Sequence, residues 1–252
     1  MRFVLEVRYS LIMSERRRTE GAQTGRLPAR RFTDCELSDF LLRACHDLRA
    51  PLRAVRAHTE LLLRDAAQTA GLAERMGFIV DGARRIDLLV DALSSFSLAL
   101  RIDSASFQPT PMDVVLRRVL AKLERELRAN DAVVTHSGLP PVRGNPDRLM
   151  ELLERLLRNA VRYRGPVPPR IQIDAAKQSS KWLFSVRDNG SGVDPEDVER
   201  IFEPFEHGHN HRAGPGMGLA ICRVIVERHG GKIWAEPNAG NGTTFFFVLP
   251  AN

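Results

Sequence analysis

Residues 152–165, LLERLLRNAVRYRG, decide the fold of this chain. Asn145-Pro146 supplies a cap residue and a first-turn proline, so the spacing predicts a helix from there to Tyr163. Helical spacing puts Arg155, Asn159, Arg162 and Tyr163 on one face. An amide oxygen on that face can ligate Mg²⁺, a guanidinium can neutralise phosphate oxygens and a phenol ring can cover a purine. Two glycine-rich runs follow, RDNGSG at 187–192 and GPGMGLAI at 214–221. In the first, Asp188 closes a strand, and its carboxylate can accept from an exocyclic amine while glycines let the backbone approach a base. In the second, Gly214, Gly216 and Gly218 precede a helix beginning near Met217, whose N-terminal N–H groups attract phosphate. Each glycine pair is a weak signal alone; the ordered set is strong.

Outward from this stretch the pattern mixes strands and helices. Thr110-Pro111 reads as another helix start, for a helix of about 111–130 burying Leu116, Val119, Leu123 and Leu127. AVVTHSG (132–138), RIQIDAA (170–176) and KWLFSVRD (181–188) read as strands. A short helix is expected from Pro195 to about Phe202. GKIWAE (231–236) and TTFFFVL (243–249) close the chain as a strand pair turning at Asn241-Gly242. Together these describe an α/β sandwich over 111–252, joined by a linker at 101–110 to what precedes it.

From about Asp34 to residue 100 the period is helical. Leu37, Leu41, Ala44, Leu48, Val55 and Leu62 step by threes, fours and sevens, interrupted around Pro51. After DAAQTAG (65–71), Leu72, Met76, Ile79, Ala83, Ile86, Val90 and Leu93 repeat the pattern. Two such helices form an antiparallel hairpin with little core of its own. Pairing two copies into a four-helix bundle would bury both seams, so a homodimer is expected. His46, in ACHDLRAPLRAV (44–55), stands about 200° from Ala44 and Leu48 and so faces away from the seam. An exposed imidazole is largely neutral at pH 7 and offers a nitrogen lone pair. Asp47 beside it can orient the ring or accept its proton. Pro51, one turn on, removes a backbone hydrogen bond and suggests a bend placed with a purpose. His58 has no such neighbourhood and reads as structural.

Composition narrows the classes. Hydrophobic residues make up 43% of 252, enough for two packed domains. No window has the ~18 apolar residues of a membrane span, and the start lacks the regions of a signal peptide. Cys35, Cys45 and Cys222 lack pair spacing, which fits a reducing compartment and offers no thiolate metal site. Cys45, although beside His46, reads as a small packed helix residue. A soluble, cytoplasmic protein is the expectation. The net charge of +6 is spread along the chain, so no specific nucleic-acid site is expected. Residues 1–33 show no sustained period and read as a basic, flexible arm.

HDLRAPLR (46–53), RNAVRYR (158–164), DNGSGV (188–193), IFEPF (201–205) and GPGMGLAI (214–221) resemble, in order and spacing, the H, N, G1, F and G2 boxes of bacterial two-component sensor histidine kinases. The likeness covers about residues 36–250 and is greatest to cores that follow phytochrome-type sensors. It implies an α plus α/β fold: a dimerisation and phosphotransfer hairpin, then an ATP-binding sandwich of the Bergerat type. It implies His46 as phosphoacceptor, Asn159 as Mg²⁺ ligand, Arg162 on phosphate, Tyr163 flanking the adenine and Asp188 reading its amino group. Gly190, Gly192, Gly214, Gly216 and Gly218 would shape the pocket and its lid, and Arg212 would replace a phosphate contact in the short lid EHGHNHRAGPG (206–216). ATP and Mg²⁺ would be required, and a response-regulator receiver domain would take the phosphoryl group.

Two departures bear on this. Arg155 stands where the family usually has a second asparagine, which would weaken Mg²⁺ binding or substitute a phosphate contact. A permanently protonated arginine cannot activate water, so hydrolysis as the purpose is disfavoured. Ala50 stands where bifunctional members carry threonine or asparagine, which argues against phosphatase activity. His207, His209 and His211 alternate in the lid and read as decoration of a loop rather than a metal site. Two other readings stay open: a dimeric ATP-binding scaffold without catalysis, and a nucleic-acid-processing ATPase, which leaves His46 unexplained. Some 33 residues precede the hairpin, too few for an ordinary sensing module, so the signal would come from a separate protein or a longer chain.

Overall fold

The structure, a computed structural model, describes residues 34–65, 72–206 and 215–251. Two long helices, α1 (Asp34–Asp65) and α2 (Leu72–Leu100), pack along their lengths as an antiparallel pair. Arg49 of α1 bonds Asp91 of α2, and the Arg56 guanidinium meets Asp87 at 2.7 Å. The pairs run in opposite order along the two helices, which fixes the hairpin sense. Helix α1 continues through Pro51 as one element.

The expected seam divides in two. Met76, Ala83 and Val90 are buried against α1, where Cys45, Leu52 and Thr59 complete the contact at seven-residue steps. Leu48, Val55, Leu62, Ile79 and Ile86 instead stand about half exposed. One heptad stripe closes the hairpin upon itself and the other faces outward, a distinction that periodicity cannot make. Among the described residues no helix is long and apolar enough to cross a membrane.

After a 3₁₀ turn at Ser104–Ser106 comes strand β1 (Gln108–Pro111), which pairs antiparallel with β3 (Pro141–Gly144). Between them lie α3 (Met112–Ala129) and β2 (Val133–His136). This corrects the expected helix start. Thr110 is a buried strand residue whose hydroxyl donates to the Gly144 carbonyl at 3.0 Å, and Pro111 is the cap position, with no side-chain cap bond. Residues 108–110, read as linker, thus pair with the sandwich.

Helix α4 (Pro146–Arg162) begins as its sequence dictates, the Asn145 side-chain oxygen accepting from the Arg148 N–H at 3.1 Å. Leu149, Leu152, Leu153, Leu156 and Leu157 repeat at helical spacing and are wholly buried. The opposite face therefore carries the polar residues. Strands β4 (Arg170–Gln178) and β5 (Lys181–Arg187) follow, then helix α5 (Gly218–Arg228) and strands β6 (Lys232–Pro237) and β7 (Thr243–Pro250). The sheet order is β2-β4-β5-β7-β6, with β2 parallel to β4 and the other neighbours antiparallel. Helices α3, α4 and α5 share one apolar core with this sheet, at whose centre Phe184 and Phe247 stack at 4.9 Å. The expected helix at 195–202 is turns ending in a 3₁₀ segment, Arg200–Phe202.

Candidate functional site

A cavity of about 920 Å³ opens between the polar face of α4, the turn after β5, the start of α5 and the flank of α2. Arg155, Asn159, Arg162 and Tyr163 all line it, as helical spacing requires. Asp188, Gly192, Gly216 and Gly218 line it too. Gly190 stands behind the wall: a Cβ there would lie 2.5 Å from the Tyr163 carbonyl oxygen, so glycine is needed for close backbone packing. The turn is stapled to the end of α4, the Ser191 N–H donating to that same oxygen at 2.8 Å. Gly214 and Arg212 lie outside the described residues, as do His207, His209 and His211. Among the described residues no cluster of His, Cys, Asp or Glu is placed to hold a metal ion.

Asp188 is the most distinctive group. Its side chain is buried, and Oδ1 accepts from the N–H of Gly190 at 2.8 Å and of Thr243 at 3.1 Å. Burial pushes the carboxyl above the ordinary range, while these two N–H bonds pull the other way. Neither bond uses Oδ2, which leaves it for a ligand in the cavity. The Asp188 main chain is held by a second close approach that the sequence does not announce. Gly242, at φ +95°, passes so near that a Cβ would stand 2.1 Å from the Asp188 carbonyl oxygen. The Asn238 side-chain amide donates to that oxygen at 2.9 Å. Gly242 had been legible only as a hairpin-turn glycine.

Also on the cavity wall, α5 begins at Gly218 after Met217, which offers no side-chain cap. The first-turn N–H groups of an uncapped helix lack an acceptor and carry positive partial charge, a setting for an anion. Gly216 has φ +67°, which favours glycine there. A carboxylate with one spare oxygen and, lining the same cavity, an uncapped helix start, arginines and an amide suit a purine with a phosphate tail.

The hairpin forms part of this cavity. Leu88, Asp91, Ala92 and Ser95 of α2 line it. His46 is an exposed residue of α1, three positions before Arg49, the partner of Asp91. Asp47 lies in the same helical turn, but its side chain is outside the described part. Cys45 is buried, in keeping with a packing role.

His229, unremarked in the sequence, joins three elements. Its ring stacks on Phe107 at 4.4 Å, Nδ1 donates to the Ile225 carbonyl at 2.7 Å and Nε2 accepts from the Asn145 N–H at 3.0 Å. These roles require the neutral ring, and burial lowers its pKa accordingly.

Residues 144–252 match the family of histidine kinase-, DNA gyrase B- and HSP90-like ATPases. Cyanobacterial phytochrome A of Nostoc sp. is 37% identical over 222 residues, which is 86% of this chain but 29% of that protein. The chain thus spans under a third of this relative's length. Full-length ShkA in complex with AMPPNP superposes with a TM-score of 0.65 at 25% identity, over 84% of this chain and 46% of that one. The catalytic domain of the histidine kinase ThkA matches with a TM-score of 0.51 at 30% identity, over 57% of this chain and 95% of its own. ThkA in complex with the response regulator protein TrrA shares the fold, with a TM-score of 0.60 at 24% identity, over 86% of this chain and 62% of ThkA.

Proposed function

The chain belongs to the sensor histidine kinases, and on that premise we propose that it autophosphorylates His46 from ATP and passes the phosphoryl group to an aspartate of a response-regulator receiver. The observation that carries this is the cavity itself: it is lined by a buried carboxylate with a spare oxygen and an uncapped helix start, and walled by the helix that Arg49 ties to the His46 turn.

Asp188 Oδ2 accepts from the adenine amino group, and Tyr163 flanks the ring. Arg162 and the first turn of α5 receive the phosphates. Asn159 offers the amide oxygen that would hold Mg²⁺, which when bound neutralises charge on the phosphate oxygens. The neutral ring nitrogen of His46 attacks the γ-phosphorus roughly in line: the P–N bond forms, the bond to the β–γ bridging oxygen breaks and ADP leaves. The ring's other nitrogen gives up its proton, with Asp47 the nearest carboxylate in sequence. In the transfer step an aspartate oxygen attacks, the P–N bond breaks and the imidazole recovers a proton. Positioning and charge neutralisation supply the rate.

The outward stripe of Leu48, Val55, Leu62, Ile79 and Ile86 is the surface for a second copy, giving a four-helix bundle. Incubation with γ-labelled ATP tests the proposal. Acid-labile, alkali-stable label that disappears in His46→Gln, while nucleotide binding persists, supports the kinase. Nucleotide binding without such label supports the scaffold reading instead.

A further inference from the structure

Three charged residues of α4, two of which (Glu151 and Arg155) line the cavity while Arg148 stands behind them, form a clamp outside the proposed chemistry. The Arg155 guanidinium gives two of its N–H groups to one oxygen of Glu151, Nε at 3.0 Å and Nη2 at 2.7 Å. The other Glu151 oxygen accepts from Arg148 Nη1 at 2.7 Å. All three side chains are only a fifth to a quarter exposed, so the guanidinium plane is held rather than free to wave. Both Glu151 oxygens are occupied, and two cations share one carboxylate, so the cluster carries excess positive charge.

The neighbouring cations differ. Lys122 and Arg158 share Glu154, at 2.8 and 3.3 Å, and Arg158 also meets Glu126 at 3.2 Å. Those charges cancel. Carboxylates also outnumber cations among the described residues that line the cavity. A polyanionic ligand therefore needs each unneutralised cation it can find. Arg155 keeps Nη1 outside its bonds to Glu151, lines the cavity, and sits one turn before Asn159. A guanidinium presents its donors in a fixed fork suited to phosphate oxygens.

We propose that Arg155, oriented by the Arg148-backed Glu151, binds the phosphate chain of the nucleotide, so that nucleotide binding at this site persists without a divalent cation. The inference rests on the nucleotide reading above and says which group replaces part of the cation's charge. Glu151 acts as a positioning residue and does not touch the ligand. Its negative charge is offset by Arg148, so removing that charge while keeping its shape should strengthen the attraction of the site for phosphate.

The test is calorimetric binding of a non-hydrolysable ATP analogue and of AMP to the full chain, each with Mg²⁺ and with chelator. The unaltered chain should lose less than about tenfold in ATP-analogue affinity on chelation. Arg155→Asn should bind the analogue roughly ten- to a hundredfold more weakly in chelator, the value of a charge-assisted hydrogen bond, and regain most of this with Mg²⁺. AMP binding, governed by Asp188, should change less than threefold. Glu151→Gln, which leaves Arg155 in place, should bind the analogue in chelator as well as or better than the unaltered chain. Circular dichroism establishes that each variant is folded. If Arg155→Asn and the unaltered chain show the same affinity in chelator, Arg155 has no phosphate role and the inference falls alone. If the unaltered chain binds no nucleotide under either condition, the functional reading falls and takes this one with it.

Discussion

Replacing Asp188 by asparagine separates what this carboxylate does for the fold from what it does for the ligand. The asparagine oxygen can keep the bonds from Gly190 and Thr243, now at 2.8 and 3.1 Å. Its amide nitrogen then takes the place of Oδ2 and presents a donor to the adenine amino group, itself a donor. A charge-assisted bond worth about 1.5–3 kcal/mol is lost, and opposing buried donors add about 1–2 kcal/mol. Affinity for ATP should fall by roughly two to four powers of ten. The fold should respond in the opposite sense. Burial raises the Asp188 pKa, so this group favours the folded state most below its ordinary pKa of about 4, and that contribution is lost as pH rises through the folded value. At neutral pH the buried charge works against folding, and Asp188→Asn should leave the melting temperature of the ligand-free chain unchanged or higher. Titration calorimetry with ATP and ITP gives the readout. Hypoxanthine carries an acceptor where adenine carries the amine, so the variant should prefer ITP. ATP affinity within threefold of the unaltered chain, or no shift toward ITP, would refute the assignment.

Other consequences follow from the packing. The folded pKa of His229 is depressed, so its contribution to stability is complete above the unfolded pKa of about 6.5 and declines as pH falls below it toward the folded value. Thermal melts should show that decline. His229→Phe should flatten it, and should be about 1–3 kcal/mol less stable at pH 7.5 because the Asn145 N–H loses its acceptor. Gly242→Ala meets both a positive φ and the Asp188 carbonyl, and denaturant unfolding should show a loss of at least about 2 kcal/mol. Gly218→Ala, whose Cβ meets nothing within 4 Å among the described residues, should stay within about 0.5 kcal/mol of the unaltered chain. Val55→Glu with Ile86→Glu places charge on the outward stripe, and sedimentation should show a monomer with helix content retained.

What could be read in advance follows a physical divide. Helix α4 was legible because a capping asparagine, a proline and a leucine stripe all mark the same element. Asp188 was legible because it ends an alternating strand just before glycines. Strands β1 and β3 were not: each has four residues, both contain proline, and they pair across about thirty residues of chain. The clamp of Arg148, Glu151 and Arg155 was available in principle, since the three fall at steps of three and four on one helix. The α2 wall of the cavity and the His229 junction depend on tertiary contacts between elements far apart in sequence, which local pattern does not encode. The seam of the hairpin was seen as one stripe, because a heptad repeat states that a residue is covered but not by which helix.

The central event is the arrival of phosphate at one imidazole. Peptide mapping by mass spectrometry, kept at neutral pH after incubation with ATP and Mg²⁺, locates it directly among the chain's 7 histidines. The phosphoryl group should be found on the peptide carrying His46 and disappear on adding a cognate receiver domain. Phosphate on another histidine or on a hydroxyl side chain, or ADP formed with no phosphopeptide at all, would contradict it.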